Sequence, residues 1–106
     1  MSKQSVIDRV NNFTERLLYR EMPEITEKRF TISHGWTINI ETTRVTQEEL
    51  DEGIYEGLQV GDVVQLAYYV SNPKGVEVDQ VEVAIPFETH YRDDVKYLVG
   101  MYWGRR

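Results

Sequence analysis

The sequence of 106 residues contains no cysteine. It therefore has no disulfide framework, no cysteine-ligated metal site and no thiol nucleophile. Its apolar runs are short, and none approaches the roughly 20 consecutive apolar residues that a membrane-spanning helix needs. No signal-peptide core precedes the first helical pattern. These absences predict a cytoplasmic protein that binds no membrane.

Basic residues are fewer than acidic residues in this chain. The chain has 12 Lys and Arg residues against 18 Asp and Glu residues, which gives a formal net charge of −6. This balance argues against direct nucleic-acid binding, because phosphate contacts depend mainly on attraction to a basic surface. Hydrophobic residues make up 41% of the chain, enough to bury a core. The length suits a single domain, residues 1–106.

Apolar residues that recur every three or four positions predict a helix at each end of the chain. The N-terminal stripe consists of Val6, Val10, Phe13 and Leu17. Ser2 or Ser5 is placed to cap this helix, and Pro23 prevents it from continuing further. The C-terminal stripe consists of Val95, Leu98, Val99 and Tyr102. A strand is the alternative for this last segment, because Gly100 and several β-formers lie within it.

A middle helix is predicted to begin at a capping box formed by Thr46 and Glu49. Its apolar stripe, facing the core, consists of Leu50, Ile54 and Leu58. Three glutamates spaced by four positions share the outward face: Glu48, Glu52 and Glu56.

Alternating apolar and polar residues between Phe30 and Ile40 predict a β-hairpin. A three-residue loop at positions 33–35 would pair Phe30 with Ile38 and Ile32 with Trp36, with the loop glycine in the left-handed conformation. A two-residue turn would set apolar residues opposite polar ones, so we expect the three-residue loop.

A second hairpin is predicted around Asn72-Pro73-Lys74-Gly75, whose residues suit a type I turn. The parity of the valines on the return strand changes, which predicts a β-bulge near positions 79–80. This bulge would leave Val70 opposite Val78 and Leu66 opposite Val81. The complete order, α-ββ-α-ββ-(α), predicts an α+β domain with helices packed on one face of an antiparallel sheet.

Catalytic and metal-binding patterns are weak in this sequence. His90 lies near Glu88 and Asp94, which suggests a metal site, but no second histidine or cysteine stands at ligand spacing. The aspartates are also explained by the N-terminus of a helix. His34 suits a hydrogen-bonded turn. Because no nucleophile elbow or phosphate loop is present either, we expect neither an enzyme nor a bound metal or cofactor.

Charge is unevenly distributed along the chain. Positions 41–94 carry 13 acidic and 3 basic side chains, whereas positions 95–106 carry 3 basic and none acidic. Tyr68 and Tyr69 are adjacent on a strand, so one of them should be exposed. Exposed aromatic side chains are typical of protein interfaces. The predicted partner-binding residues are Glu48, Glu49, Glu52, Glu56, Tyr69, Tyr102 and Trp103.

These features favour a non-enzymatic regulatory protein whose acidic face docks on a basic, nucleic-acid-binding protein. Small size and acidity are associated with inhibitors made by phages and mobile elements, although no residue here indicates that origin. One alternative is a homo-oligomeric assembly subunit that pairs through its edge strands. Another is a small-ligand module or enzyme whose pocket is lined by His34, Trp36 and His90.

Overall fold

The protein alternates helices and antiparallel strands in the predicted order. The computed structural model describes residues 2–22, 24, 27–84 and 90–106. The elements are α1 (Lys3–Leu18), β1 (Glu27–Ser33), β2 (Trp36–Arg44), α2 (Gln47–Asp51), β3 (Val63–Ser71), β4 (Glu77–Ala84) and α3 (His90–Tyr102). The α+β class is therefore confirmed, and the C-terminal segment is a helix.

The four strands form one antiparallel sheet in the order β1-β2-β3-β4. Side chains on its inner face pack against α1 and α3 in a common hydrophobic core. One row of this face joins Ile40, Tyr68 and Val81 across three strands. An ion pair between Arg92 and Glu15 joins the two helices above the core. No helix in the described part of the chain is both long and apolar enough to cross a membrane.

Helix α1 begins and ends with specific hydrogen bonds. The Ser2 side chain accepts a hydrogen bond from the Ser5 amide at 3.1 Å, so Ser2 is the cap. At the other end, Arg20 has a φ of +62°, and the Glu21 amide donates to the carbonyl of Arg16 at 3.0 Å. This is a Schellman arrangement with arginine in the position that glycine usually occupies. It ends the helix at Leu18, before Pro23 in the chain.

The β1–β2 turn differs from the prediction. His34 and Gly35 have φ values of +50° and +85°, and Ser33 pairs with Trp36. Two consecutive positive φ values are typical of a two-residue type I′ turn, which matches the twist of the strands. The predicted three-residue loop, with Ile32 opposite Trp36, is therefore wrong.

A β-bulge in β1 allows a two-residue turn while the apolar side chains of both strands stay on the inner face of the sheet. The register shifts between Thr31 and Ser33, where Ile32 is the extra residue. Beyond the bulge, Phe30 lies opposite Ile38, as predicted. The bulge thus removes the mismatch of faces that a two-residue turn would otherwise cause.

The capping box of α2 is confirmed, but the helix is short. Thr46 Oγ1 accepts a hydrogen bond from the Glu49 amide at 3.3 Å, and the Glu49 carboxylate accepts one from the Thr46 amide at 3.0 Å. The helix ends at Asp51, because Gly53 adopts a φ of +74°. Ile54 is 56% exposed, and α2 has no buried residue. The predicted core-facing stripe of Leu50, Ile54 and Leu58 is therefore wrong.

Residues 45–62 connect β2 to β3 and include α2. Hydrogen bonds join the two ends of this connecting segment. The Val45 amide donates to the carbonyl of Asp62 at 2.8 Å, and the Gly61 amide donates to the carbonyl of Val45 at 2.9 Å. Arg44 Nη1 and Nη2 donate to the carbonyls of Gly61 and Met22 at 2.8 and 3.1 Å. These hydrogen bonds hold the two ends of the segment together, and none of them involves a residue of α2.

The β3–β4 turn is confirmed. The Gly75 amide donates to the carbonyl of Asn72 at 2.9 Å, and Gly75 has a φ of +82°. Asn72 Oδ1 accepts hydrogen bonds from the amides of Lys74 and Val76, each at 3.0 Å. Asparagine thus organises the turn through its side chain, as its position suggests.

The bulge in this hairpin exists, but it lies closer to the turn than predicted. The register shifts between Val70 and Ser71, so that Val70 faces Asp79 instead of Val78. Leu66 consequently faces Val83, two residues beyond its predicted partner. Both pairs in the predicted register are therefore wrong.

Candidate functional site

The sheet face opposite α1 and α3 carries mainly exposed or half-exposed polar side chains. One row across it contains Arg29, Asn39, Tyr69 and Gln80, one residue from each strand. The neighbouring row contains Glu27, Glu41, Ala67 and Glu82. We call this side of the sheet the open face, defined by these eight residues.

Tyr69 lies near the centre of the open face, beside a short row of acids. Glu41 and Glu82 are the cross-strand neighbours of Ala67, on its two sides. Because alanine is small, the two glutamates flank a position that presents little side chain of its own. Gln80 Nε2 donates to Glu82 Oε1 at 2.7 Å, which fixes the direction of that carboxylate. The arrangement places a phenol and two carboxylates within one patch.

The pKa of Tyr69 reflects the negative charge around it. Its pKa is raised, first by desolvation and then by the charges of Glu41, Glu82 and Glu77. A negative potential disfavours a further negative charge on the phenol. The same potential attracts a cationic group that approaches the patch.

The structure places Tyr68 and Tyr69 as the alternation requires. Tyr68 is fully buried, whereas Tyr69 is half-buried on the opposite side of the sheet. Of the predicted binding residues, Tyr69 is therefore the aromatic that lies on an accessible polar surface.

The predicted acidic helix face is divided by the early end of α2. Glu48 lies in the helix, Glu52 is its C-terminal cap, and Glu56 lies beyond Gly53 in a bend. The three side chains are exposed but do not share a helix face, so that prediction is wrong. Glu49 is half-buried and is held by the capping box.

Tyr102 is among the predicted partner-binding residues, but its ring is buried and little of it is available to a partner. It is only 6% exposed and stacks on Trp36, with 5.2 Å between ring centroids. The guanidinium of Arg105 lies 4.7 Å from the Tyr102 ring centroid. Trp103 is half-buried and packs against the core. The C-terminal aromatics thus fasten α3 to the sheet.

The two histidines do not converge. His34 lies in the β1–β2 turn, and His90 is the first residue of α3. The far end of α3 lies beside that turn, because the Gly104 amide donates to Ser33 Oγ at 2.8 Å. The length of α3, about 18 Å at 1.5 Å per residue, thus separates His90 from the turn. The suggested pocket of His34, Trp36 and His90 does not form.

Metal ligands are also dispersed within the part of the chain that the structure describes. No group of three or more His, Asp or Glu side chains there is placed to hold a metal ion. The candidate ligand Glu88 falls outside the described residues, while His90 and Asp94 both lie on α3.

Sequence reasoning missed Glu41 and Glu82 as members of the site. Both have the parity of the polar face, as does Tyr69 on the strand between them. The parity alone predicts that these side chains share a face, but their adjacency depends on the register. The predicted β3–β4 register is wrong at Glu82, and no local pattern predicts the β2–β3 register that places Glu41 opposite Ala67.

Comparisons of the chain with protein-family models, with curated proteins and with solved structures produced no match in any of the three.

Proposed function

We propose that the protein is a non-catalytic binding protein whose open face docks on a basic segment of a protein partner. The observation that carries this proposal is the position of Tyr69 beside Glu41 and Glu82 on a sheet face that the helices leave uncovered. Carboxylates attract lysine and arginine side chains, and a tyrosine offers both an apolar ring and a hydrogen-bonding hydroxyl. A nucleic-acid-binding protein is one partner whose surface has the required positive charge.

The net charge of the chain also favours a basic partner. The chain carries a net charge of −6, so its long-range field accelerates the approach of basic proteins. Charge complementarity affects association rate and specificity more than affinity. The half-buried aromatic ring of Tyr69 supplies apolar contact area at the centre of the patch. An inhibitor that occupies a nucleic-acid-binding groove would use these two contributions together.

The experiment is a titration of isotope-labelled protein with a short arginine-rich peptide, followed by NMR. We expect the largest chemical-shift changes at Asn39, Ala67 and Tyr69. Glu41→Lys should weaken binding by about tenfold, because it replaces attraction with repulsion at the patch. Glu48→Lys changes the net charge equally but lies on α2, so it is the matched control. Binding should also weaken as salt screens the charges.

The natural partner is then sought by capture with four matched baits. A genuine partner is retained by the wild type and by Glu48→Lys, but is lost with Glu41→Lys and Tyr69→Ala. If the peptide perturbs α2 instead of the open face, or if Glu41→Lys binds as tightly as the wild type, the proposal is wrong. Circular dichroism of each variant confirms that it is folded.

A further inference from the structure

The two edge strands of the sheet carry opposite charge. β1 exposes Lys28 and Arg29 along with Glu27, whereas β4 carries Glu77, Asp79 and Glu82 and no basic residue. Neither strand has a neighbour on its outer side among the described strands. An unpaired edge presents backbone donors and acceptors that can extend a sheet. Acidic side chains would face one another in β4–β4 pairing, whereas Lys28 and Arg29 of β1 offer opposite charge to the acidic residues of β4.

The direction of the strands also suits this pairing. Each neighbouring pair in the sheet is antiparallel, so β1 and β4 run in opposite directions. If a second copy is placed beside the first in the same orientation, its β1 meets β4 of the first copy in antiparallel fashion. The alternation of the sheet then continues across the boundary, and the second copy is rotated by the accumulated twist of the sheet.

One register satisfies both faces of such a junction. Arg29 and Glu82 both lie on the open face, so they are set opposite each other as an ion pair. Antiparallel pairing then brings Phe30 opposite Val81 on the inner face. It also places Glu27 opposite Ala84, which avoids repulsion between two acids. This alignment thus brings one pair of opposite charges and one apolar pair together.

A groove beside β1 adds to the complementarity. A cavity of about 390 Å³ between α1 and β1 is lined by Arg9, Arg16 and Lys28 together with Phe13 and Phe30. The Arg9 guanidinium lies 5.6 Å from the centroid of the Phe30 ring. The wall is therefore both cationic and aromatic, which suits an incoming strand that carries carboxylates and valines.

Two valines at the turn end of the acidic edge are exposed: Val78 in β4 is 45% exposed, and Val76, just before the strand, is 56% exposed. In the register above, Val78 lies opposite Ser33 and Val76 lies opposite the β1–β2 turn. The junction would therefore shield these side chains from water only at its end.

We propose that copies of this chain assemble head to tail, with the acidic β4 edge of one copy added to the basic β1 edge of the next. The two contacting surfaces are different, so the contact is heterologous and does not close on itself as a symmetric dimer would. The junction lies along the edge strands and shares Arg29 and Glu82 with the open face, whereas Glu41 and Tyr69 lie on the two central strands. The assembly is measured on the protein alone, and its outcome is independent of partner binding.

The test is sedimentation equilibrium over a series of protein concentrations. It compares the wild type with variants in which the charges of Arg29 and Glu82 are reversed, singly and together. We expect the weight-average mass to rise above the 12.5 kDa of one chain as concentration increases, and to rise less at high salt. Arg29→Glu and Glu82→Arg should each raise the concentration needed for assembly by about tenfold, because each places like charges opposite one another. The double variant Arg29→Glu/Glu82→Arg should assemble as the wild type does.

This rescue cannot arise within one chain, because three strand spacings of about 4.8 Å separate β1 from β4. Glu48→Arg is the control, since it makes the same charge change on α2, outside both edge strands, and should assemble normally. A wild type that remains monomeric at every concentration would overturn the proposal. So would single variants that assemble like the wild type, or a double variant that stays as weak as the singles.

Discussion

The hydroxyl of Tyr102 donates a hydrogen bond to Asp79 Oδ2 at 2.8 Å, and this contact ties the last turn of α3 to the edge strand β4. Desolvation and the hydrogen bond to Asp79 both raise the pKa of Tyr102. The phenol is thus retained as a donor, because ionisation would place two negative charges together. A residue with the sequence signature of a contact aromatic instead serves to join two elements of the fold.

Tyr102→Phe should lower the free energy of unfolding by about 1–2 kcal/mol, because it leaves a half-buried carboxylate without this donor while keeping the ring. Chemical denaturation measures the change. Tyr97→Phe is the matched control, since Tyr97 is 58% exposed on the same helix, and it should leave the stability unchanged. Equal stability of Tyr102→Phe and the wild type would show that the hydrogen bond contributes nothing.

Alkaline pH should destabilise the protein through Tyr68. Burial raises the pKa of this tyrosine above its ordinary value of 10, the largest contribution being desolvation. The folded state therefore retains a proton that the unfolded state loses, and stability falls as pH rises above about 10. Below that pH the contribution of Tyr68 is fully present.

Urea unfolding of the wild type and Tyr68→Phe at pH 8 to 11 tests this effect. Phenylalanine cannot ionise, so the decline of stability with pH should be shallower in the variant. Some slope should remain, because the pKa values of Tyr91 and Tyr102 are also raised. Identical slopes in the two proteins would contradict the assignment to Tyr68.

Gly75→Ala should destabilise the protein by about 1 kcal/mol, the usual cost of a side chain in the left-handed conformation. No atom of the described residues lies within 4 Å of the position that a Cβ atom would take, so we expect the effect to come from conformational strain. Gly75→Asn should cost less, because asparagine tolerates positive φ. Lys74→Ala in the same turn is the control, and thermal unfolding ranks the three. A larger effect at Lys74 would contradict the assigned turn.

Thr46→Ala should loosen α2 by about 1 kcal/mol, since it removes the side-chain acceptor of the capping box. The loss should be local, because α2 contributes no buried residue to the core. Amide hydrogen exchange should therefore accelerate at Glu49, while exchange at Tyr68 in β3 stays as in the wild type. A global loss of protection would show that α2 supports the core after all.

The sequence predicted the elements of this fold better than it predicted their alignment. The stripes of α1 and α3, the capping box and the Asn72–Gly75 turn each depend on neighbouring residues, and each is confirmed. The bulges at Ile32 and Val78 depend on pairing between distant strands. Their positions are decided by which register buries the most side chains, and local patterns do not contain that information.

The same distinction explains the errors at the candidate site. Gly53 ends α2 through a local preference that the apolar spacing of Leu50, Ile54 and Leu58 obscured. The apolar stripe of α3 already includes Tyr102, so its place among the predicted partner-binding residues conflicts with that stripe; its contacts, Trp36 and Asp79, lie far away in sequence. Tyr69 was identified from strand alternation, which is local, whereas its acidic neighbours required the correct register.

Because hydrogen bonds join the two ends of residues 45–62, this segment is suited to insertions by protein engineering. Its ends are held by the hydrogen bonds between Val45, Gly61 and Asp62, so its interior can change in length without moving the sheet. A peptide epitope or a small folded domain inserted beside Gly57 would be displayed away from the core, because extra loop length costs little entropy once the ends are fixed.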